Sequence, residues 1–501
     1  MQYISTRDRE QQFSAAQAIS KGLADDGGLL TPVYLPKLPR RSLEELKDMS
    51  YQQRAVYVMK LFLDGFSVKE LTDFANAAYG PEKFDTPAVA PVRALDSNTF
   101  CLELWHGPTC AFKDMALQIL PHFLTASLKK AQPGKEALIL VATSGDTGKA
   151  ALAGFQDVAG TRIAVFYPRD GVSPMQKRQM ATQEGRNVMV CAIEGNFDDA
   201  QTAVKRIFTD DAMKKLLEER GMLFSSANSI NWGRLLPQIV YYFYAYSQLV
   251  RTGALSLGEP MDVVVPTGNF GNILAAYYGK RMGLPVRKLV CASNQNKVLT
   301  DFIRTGVYDR RREFYATASP SMDILISSNL ERLLYHLCGE DSAALRGWME
   351  DLSQRGAYDV GEEVKAKVQE LFYGGFCGDG SAFQTIRELW DSEGYLCDTH
   401  TAVAVDVYRQ YRKECGLPSV PTVIASTADP YKFSGSVLEA IQADLLTGDD
   451  FQNVEALEKL TGVAAPLQLR ELKDKPVRFS RTVPKEQAAA FVRELVQAGE
   501  G

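Results

Sequence analysis

Two hydrophobic periodicities divide the chain. Over residues 1–95 the apolar positions recur at helical spacing, with Phe13, Ala16, Ile19 and Leu23 on one face. Ser42/Glu45 and Ser67/Glu70 carry the spacing of capping boxes, in which hydroxyl and carboxylate reciprocally satisfy backbone N–H groups at a helix start. Asp25-Asp26-Gly27-Gly28 reads as a turn between helical stretches. The pattern predicts a helical N-terminal region over 1–95, joined to the rest through the Pro-containing stretch Thr86 to Pro91.

Beyond it, short β-branched runs at 137–142, 162–167, 187–193, 262–265, 288–292 and 422–425 alternate with helical patterns such as 198–219 and 232–250. The runs are continuous rather than alternating, which fits strands buried on both faces of a parallel sheet. The helices are long enough to be crossovers between parallel strands, and the class is therefore α/β. Strands before and after about residue 225 predict two sheets with a cleft between them, where ligands commonly bind. The expected division is 1–95, then 96–440 as two α/β subdomains with the smaller over about 134–225, then 441–501 as mixed helix and loop.

Composition narrows the function classes. The chain has 501 residues, room for several domains, and 56 Lys and Arg against 61 Asp and Glu leave a net charge of -5 that invites neither nucleic acid nor anionic membrane. Arg310-Arg311-Arg312 reads as a solvated face. The eight cysteines form no CxxC pair and there are only four histidines, so no metal site is expected and the thiols suit a reducing cytosol. The first residues lack the basic and apolar parts of a secretory signal, and no apolar run reaches membrane-spanning length. A cytoplasmic protein is the expectation.

Candidate chemistry lies in two segments. Asp262 to Pro266 reads as a strand that runs into Thr267-Gly268-Asn269-Phe270-Gly271-Asn272 and then a helix, an arrangement that turns free N–H groups and a helix N-terminus toward an anion such as a phosphate. A turn required only by topology is the alternative, and the GxGxxG spacing of dinucleotide sites is absent. Ser144 to Lys149 superficially resembles a P-loop, but Thr143 stands at the first Gly position and Ala150 follows the lysine, which disfavours a nucleotide triphosphatase. In Leu102 to Gln118 a strand ends at Leu104, a turn follows, and Lys113 begins a helix. The helix field together with partial burial lowers the pKa of an amine there and favours the neutral nucleophile that imine chemistry needs. A surface lysine paired with Asp114 is the competing reading.

The run His106-Gly107-Pro108-Thr109 through Phe112-Lys113-Asp114 to Gln118 resembles the cofactor-lysine motif of threonine synthases. Ser5-Thr6-Arg7 with Gly22 to Leu29, Ala142 to Gly148, Asn228 to Arg234, Gly268 to Asn272, Asp398 to Ala402 and Ser426 to Pro430 resemble the same family in the same order, over nearly the whole chain. The resemblance implies a fold-type II pyridoxal-phosphate enzyme, two α/β portions facing each other across the cofactor, with an added N-terminal region. It implies Lys113 as the Schiff-base lysine; Gly268, Asn269, Phe270, Gly271 and Asn272 around the cofactor phosphate; Thr427 against the pyridine nitrogen; and Asp146 with Ser144 near the ring hydroxyl. Thr143 and Ser144 would touch substrate.

Lys432 is the first candidate for the substrate phosphate, with Lys149 and Arg234 behind it. Thr427 also follows an apolar run and precedes a capping-box spacing at Ser436/Glu439, the strand-to-helix side where α/β sites gather. The reaction implied is O-phospho-L-homoserine and water to L-threonine and phosphate, by a monomer or homodimer. A related phospho-amino-acid lyase, a hydroxy-amino-acid dehydratase, or a homologue that binds cofactor without turnover are the alternatives. Two departures bear on them: Asp429 stands where the family usually has His, and Asp8 where it commonly has Gly.

Overall fold

The computed structural model describes residues 1–169, 172–416 and 420–497. Two sheets carry the chain. The larger has the spatial order Phe372–Phe376, Val286–Ser293, Met261–Pro266, Thr422–Ser426, Thr99–Glu103 and Val92–Ala94. All its neighbours are parallel except the last pair, and Val263 and Val264 lie level with Val423 and Ile424 in the centre. Val263, Val264 and Val265 are fully buried because helices cover both faces, which is why the run is continuous in sequence. Each such side chain contributes roughly 1.5–3 kcal/mol through its removal from water.

The smaller sheet has the order Thr482–Val483, Val188–Ile193, Thr161–Pro168, Glu136–Ala142 and Met222–Ser225, every pairing parallel. Its edge strand Thr482–Val483 and the helix Ala488–Gln497 come from the segment expected to be only mixed helix and loop. Two residues of strand are too short to leave a periodic signal. Residues 498–501 of that segment lie outside the described residues.

The N-terminal region corrects the purely helical expectation. Gln2–Ser5, Gln12–Ser14 and Leu30–Pro32 form a three-stranded antiparallel sheet, with Phe13 in the second strand rather than on a helix face. The capping box at Ser67/Glu70 is present, and the box spacing at Ser42/Glu45 is not used as one. That helix runs Arg40–Lys47 from Pro39, and the buried Ser42 hydroxyl inside it accepts from Tyr57 Oη at 3.0 Å. Ser436 likewise sits inside the helix Ser434–Gln442, which starts after Phe433. The helix expected over 198–219 is two, Phe197–Thr209 and Asp211–Glu219, because the Asp210 carboxylate caps Ala212 and Met213 and restarts the turn.

Helix Trp232–Arg251 connects the sheets in sequence and is buried from Trp232 to Leu249. No described helix is long and apolar enough to cross a membrane. The loops after Thr99–Glu103, Glu136–Ala142, Met261–Pro266 and Thr422–Ser426 all leave carboxyl ends of parallel strands, and loops from the two sheets meet there, the usual place for an α/β site.

Candidate active site

Lys113 ends a tightly held turn. Phe112 donates its N–H to Thr427 O at 2.8 Å, Ala111 bridges Ala428, and Cys110 adopts a left-handed φ of 58°. A non-glycine residue there stores backbone strain of about 1–3 kcal/mol that the surrounding bonds hold in place. The lysine is 8% exposed and donates from Nζ to Ser321 Oγ at 3.2 Å and Asp146 Oδ2 at 3.4 Å. It does not pair with Asp114, whose carboxylate accepts from Thr109 N (2.8 Å) and Oγ1 (2.9 Å) while burial pushes its pKa up to about 6. Burial pulls the Lys113 amine below its ordinary range, with Arg234 and Lys432 adding to it and Asp146 opposing. The following helix, Asp114–Leu117, is a single turn, so desolvation rather than a macrodipole carries the effect.

Asp146 opens the helix Asp146–Phe155 behind Gly145, whose φ of 134° and whose closeness to the Gln176 amide, 2.4 Å from where a Cβ would stand, admit only glycine. Its carboxylate accepts from Lys432 Nζ at 2.7 Å, Gln176 Nε2 at 2.9 Å and Ser321 Oγ at 3.1 Å as well as from Lys113. Burial alone would raise its pKa, but the two lysines overcome burial and hold it well below the usual carboxylate range. Lys432 is neither solvated nor free: it is fully buried and also donates to Thr109 O at 2.9 Å.

Arg234 is buried too, bonded through Nη1 to Ala227 O at 2.8 Å and through Nη2 to Thr147 Oγ1 at 3.4 Å, and burial lowers its pKa to about 10. Its Nε–H has no acceptor among the described residues. Lys149 turns to Gln183 Oε1 at 2.5 Å, with burial lowering its pKa to about 8. Thr143 spends its hydroxyl on the N–H groups of Gly145 (3.0 Å) and Gly148 (2.8 Å), and Ser144 is half-buried beside it.

The glycine turn is shaped from outside. Gly268 O accepts from Ser327 Oγ at 2.7 Å, and Asn269 O accepts from both N and Nδ2 of Asn329 at 3.1 Å. With those carbonyls tied to one side and Phe270 left-handed at φ 64°, the turn leads into Gly271–Met282, whose first N–H groups have no helical partner. Asn272 accepts through Oδ1 from Tyr241 Oη at 2.8 Å and from Tyr242 Oη, which leaves its buried Nδ2 without an acceptor among the described residues. Gly268 and Lys113 face the same residue, since a Cβ on Gly268 would stand 2.8 Å from Ser321 O. A buried amine whose pKa burial lowers, one residue's span from a turn whose N–H donors have no partner among the described residues, fits a phosphorylated aldehyde.

Thr427 is buried next to Phe112, while its neighbour Ser426 accepts from Trp105 Nε1 at 3.0 Å and Thr401 Oγ1 at 3.1 Å. His106, in the lysine motif, bridges Asp85 (2.7 Å) and Glu103 (3.0 Å); burial disfavours its cation, yet the two carboxylates raise its pKa to about 9. Asp429 caps the turn Pro430–Phe433 through Tyr431 N at 2.8 Å, and burial pushes its carboxyl up to about 7. Its backbone also accepts from Lys432 N at 3.1 Å, so it helps build the turn that carries that lysine. Sequence reasoning missed Ser321, and it singled out Asp398 to Ala402 as a motif without assigning a role to the buried Asp398–His400 pair. Ser321 lies in the three-residue 3-10 turn Pro320–Met322, too short to leave a periodic signal, and nothing short of the fold places it against Lys113.

Residues 2–79 match the threonine synthase N terminus, residues 84–364 the pyridoxal-phosphate-dependent enzyme family, and residues 401–496 the threonine synthase C-terminal family. The threonine synthase-like 1 of Homo sapiens is 43% identical over 459 residues, 88% of this chain, and the chain spans 61% of that relative's length. The threonine synthase of Pseudomonas aeruginosa is 39% identical over 88% of this chain and 90% of its own. The crystal structure of pyridoxal-phosphate-bound threonine synthase from Brucella melitensis superposes with a TM-score of 0.87 at 36% identity, covering 99% of this chain and 100% of that one. By fold, by the order of its segments and by identity over its length, the chain belongs to the threonine synthase family of pyridoxal-phosphate-dependent, fold-type II enzymes.

Proposed function

We propose that the chain converts O-phospho-L-homoserine and water to L-threonine and inorganic phosphate, with pyridoxal phosphate held on Lys113. The observation that carries the reading is the buried Lys113 amine, depressed in pKa, set one residue's span from the turn Gly268–Asn272. When bound, the cofactor supplies a conjugated ring that accepts the electrons released as the substrate α-proton leaves.

The chain's own groups do the rest. The N–H groups of Gly268, Asn269, Phe270, Gly271 and Asn272, with Asn272 Nδ2, hold the cofactor phosphate, and Thr427 offers a neutral hydroxyl to the ring nitrogen. Lys113 acts as general base at the α- and β-carbons; the electron pair left at the β-carbon closes a bond to the γ-carbon as the C–O bond breaks and phosphate leaves with its own pair, and Lys113 then returns a proton to the γ-carbon and, last, one to the α-carbon. Water adds its hydroxyl to the β-carbon and gives up its remaining proton to the released phosphate. Arg234, whose Nε–H has no acceptor among the described residues, and Lys432, anchored to Asp146, supply positive charge for the leaving phosphate, and Thr143 and Ser144 shape the substrate side. The enzyme works in the cytoplasm as a monomer or homodimer.

One observation favours a second reading, a phospho-amino-acid lyase. Asp429 places a carboxyl where the family usually has His, on the turn of Lys432, and thins the positive field for a phosphate. Purified protein with pyridoxal phosphate and O-phospho-L-homoserine separates the two. Threonine and phosphate in equal amounts, both lost in Lys113→Ala, support the synthase; phosphate without threonine supports the lyase; cofactor absorbance with neither product refutes both.

A further inference from the structure

Ser321 stands on a segment lashed to the larger sheet. Asp323 Oδ1 accepts from Asn294 Nδ2 at 2.7 Å and Thr317 Oγ1 at 2.8 Å, Thr399 Oγ1 donates to Ala318 O at 2.7 Å, and Ser321 N donates to His400 Nε2 at 3.1 Å. His400 is 2% exposed, and its Nδ1 lies 2.7 Å from Asp398 Oδ2. A carboxylate only accepts, so Nδ1 carries the proton and Nε2 presents the lone pair that receives the Ser321 N–H. The same logic fixes the serine side chain. Ser321 Oγ is 3.1 Å from Asp146 Oδ2, which takes its hydrogen, so an oxygen lone pair is what remains for Lys113 Nζ at 3.2 Å.

We propose that Ser321 is a positioning residue for the Lys113 amine, and that the Asp398–His400 pair holds the Ser321 backbone in place for it. A lysine side chain loses rotamer freedom on being fixed, so fixing it needs partners that hold it. Two rigid acceptors, Ser321 Oγ and Asp146 Oδ2, take two of its N–H directions and leave the reactive lone pair one direction to point. A loop merely packed on the sheet would need the His400 contact but no hydroxyl at residue 321. The inference rests on the functional reading only in taking Lys113 as the reactive amine.

The test is the rate at which pyridoxal phosphate attaches to Lys113 in purified full-length protein, trapped by borohydride and counted by peptide mass. Ser321→Ala slows attachment about tenfold or more at an unchanged thermal midpoint, and Ser321→Thr restores it. His400→Phe, which removes the acceptor, reproduces the loss, His400→Gln keeps most of the rate, and Ser321→Ala with His400→Phe is no slower than Ser321→Ala alone. Attachment at the native rate in Ser321→Ala, or losses that add in the double variant, overturns the proposal. If the wild type attaches no cofactor, the functional reading falls, and methyl acetimidate labelling of Lys113 still decides this one: slower in Ser321→Ala supports it, unchanged overturns it.

Discussion

Replacing Asp146 by Asn strips the counter-charge from two buried amines while keeping the side chain's shape. The Lys432 side chain is 0% exposed and that of Asp146 2%. Removing one partner of a buried pair leaves the other charge without compensation, at a cost of about 3–5 kcal/mol. Lys432 keeps its bond to Thr109 O after the substitution, so the lower end, about 3 kcal/mol, is expected. Lys432→Met in the same chain removes the stranded charge, and the double variant should recover at least half of that loss.

The assay is urea unfolding of the cofactor-free protein at pH 7, followed by fluorescence and by circular dichroism so that separate transitions of the two sheets are seen. The pH dependence has a definite sign. Asp146 is depressed in the folded state, so the stability it contributes is present above its unfolded pKa of about 4 and lost as pH falls below that value. The deficit of Asp146→Asn should therefore shrink in acid. A single variant within about 1 kcal/mol of wild type at pH 7, or a double variant equal to the sum of the singles, would refute a charge-coupled Asp146–Lys432 pair.

Three further outcomes follow from particular side chains. His106 is raised from 6.5 to about 9, so its contribution, roughly 3 kcal/mol, is complete below pH 6.5 and lost as pH rises through 9; urea midpoints at pH 6 and pH 10 should differ by less in His106→Asn than in wild type. Asp429 is raised from 3.8 to about 7, so its ionised form burdens the fold at higher pH; Asp429→Asn, which keeps the cap on Tyr431, should stabilise by about 1–3 kcal/mol at pH 8 and by nothing measurable at pH 4. Gly268→Ala brings a methyl 2.8 Å from Ser321 O, backbone that must move, and should lower stability by about 1–3 kcal/mol and weaken pyridoxal phosphate binding in an absorbance titration.

The class and the two-sheet architecture were legible because parallel strands buried on both faces leave unbroken runs such as Val263-Val264-Val265. Short elements were not: three-residue strands at Gln12–Ser14 and Leu30–Pro32 are below the length at which a period-two pattern differs from chance. The break at Asp210 had a signal, an acid able to cap two residues ahead, hidden inside a long amphipathic stretch. At the site, the motif lysine and the glycine turn stood out locally. The ion pair of Asp146 with Lys432 joins residues from two sheets, and local sequence spacing carries no trace of such a contact. The depressed Lys113 amine was expected from a helix field together with partial burial; a one-turn helix leaves that work to burial.

The strand Thr482–Val483 has a consequence for synthesis. Its partner, Val188–Ile193, leaves the ribosome ~290 residues earlier, which at 5–20 residues per second is roughly 15–60 s. For that interval the nascent smaller sheet carries an open edge beside Ile193, and Phe166 lacks the cover of Phe491. A holdase that shields unpaired strand edges would find its client in that window, and a chain stalled before residue 482 would be the species most prone to clump.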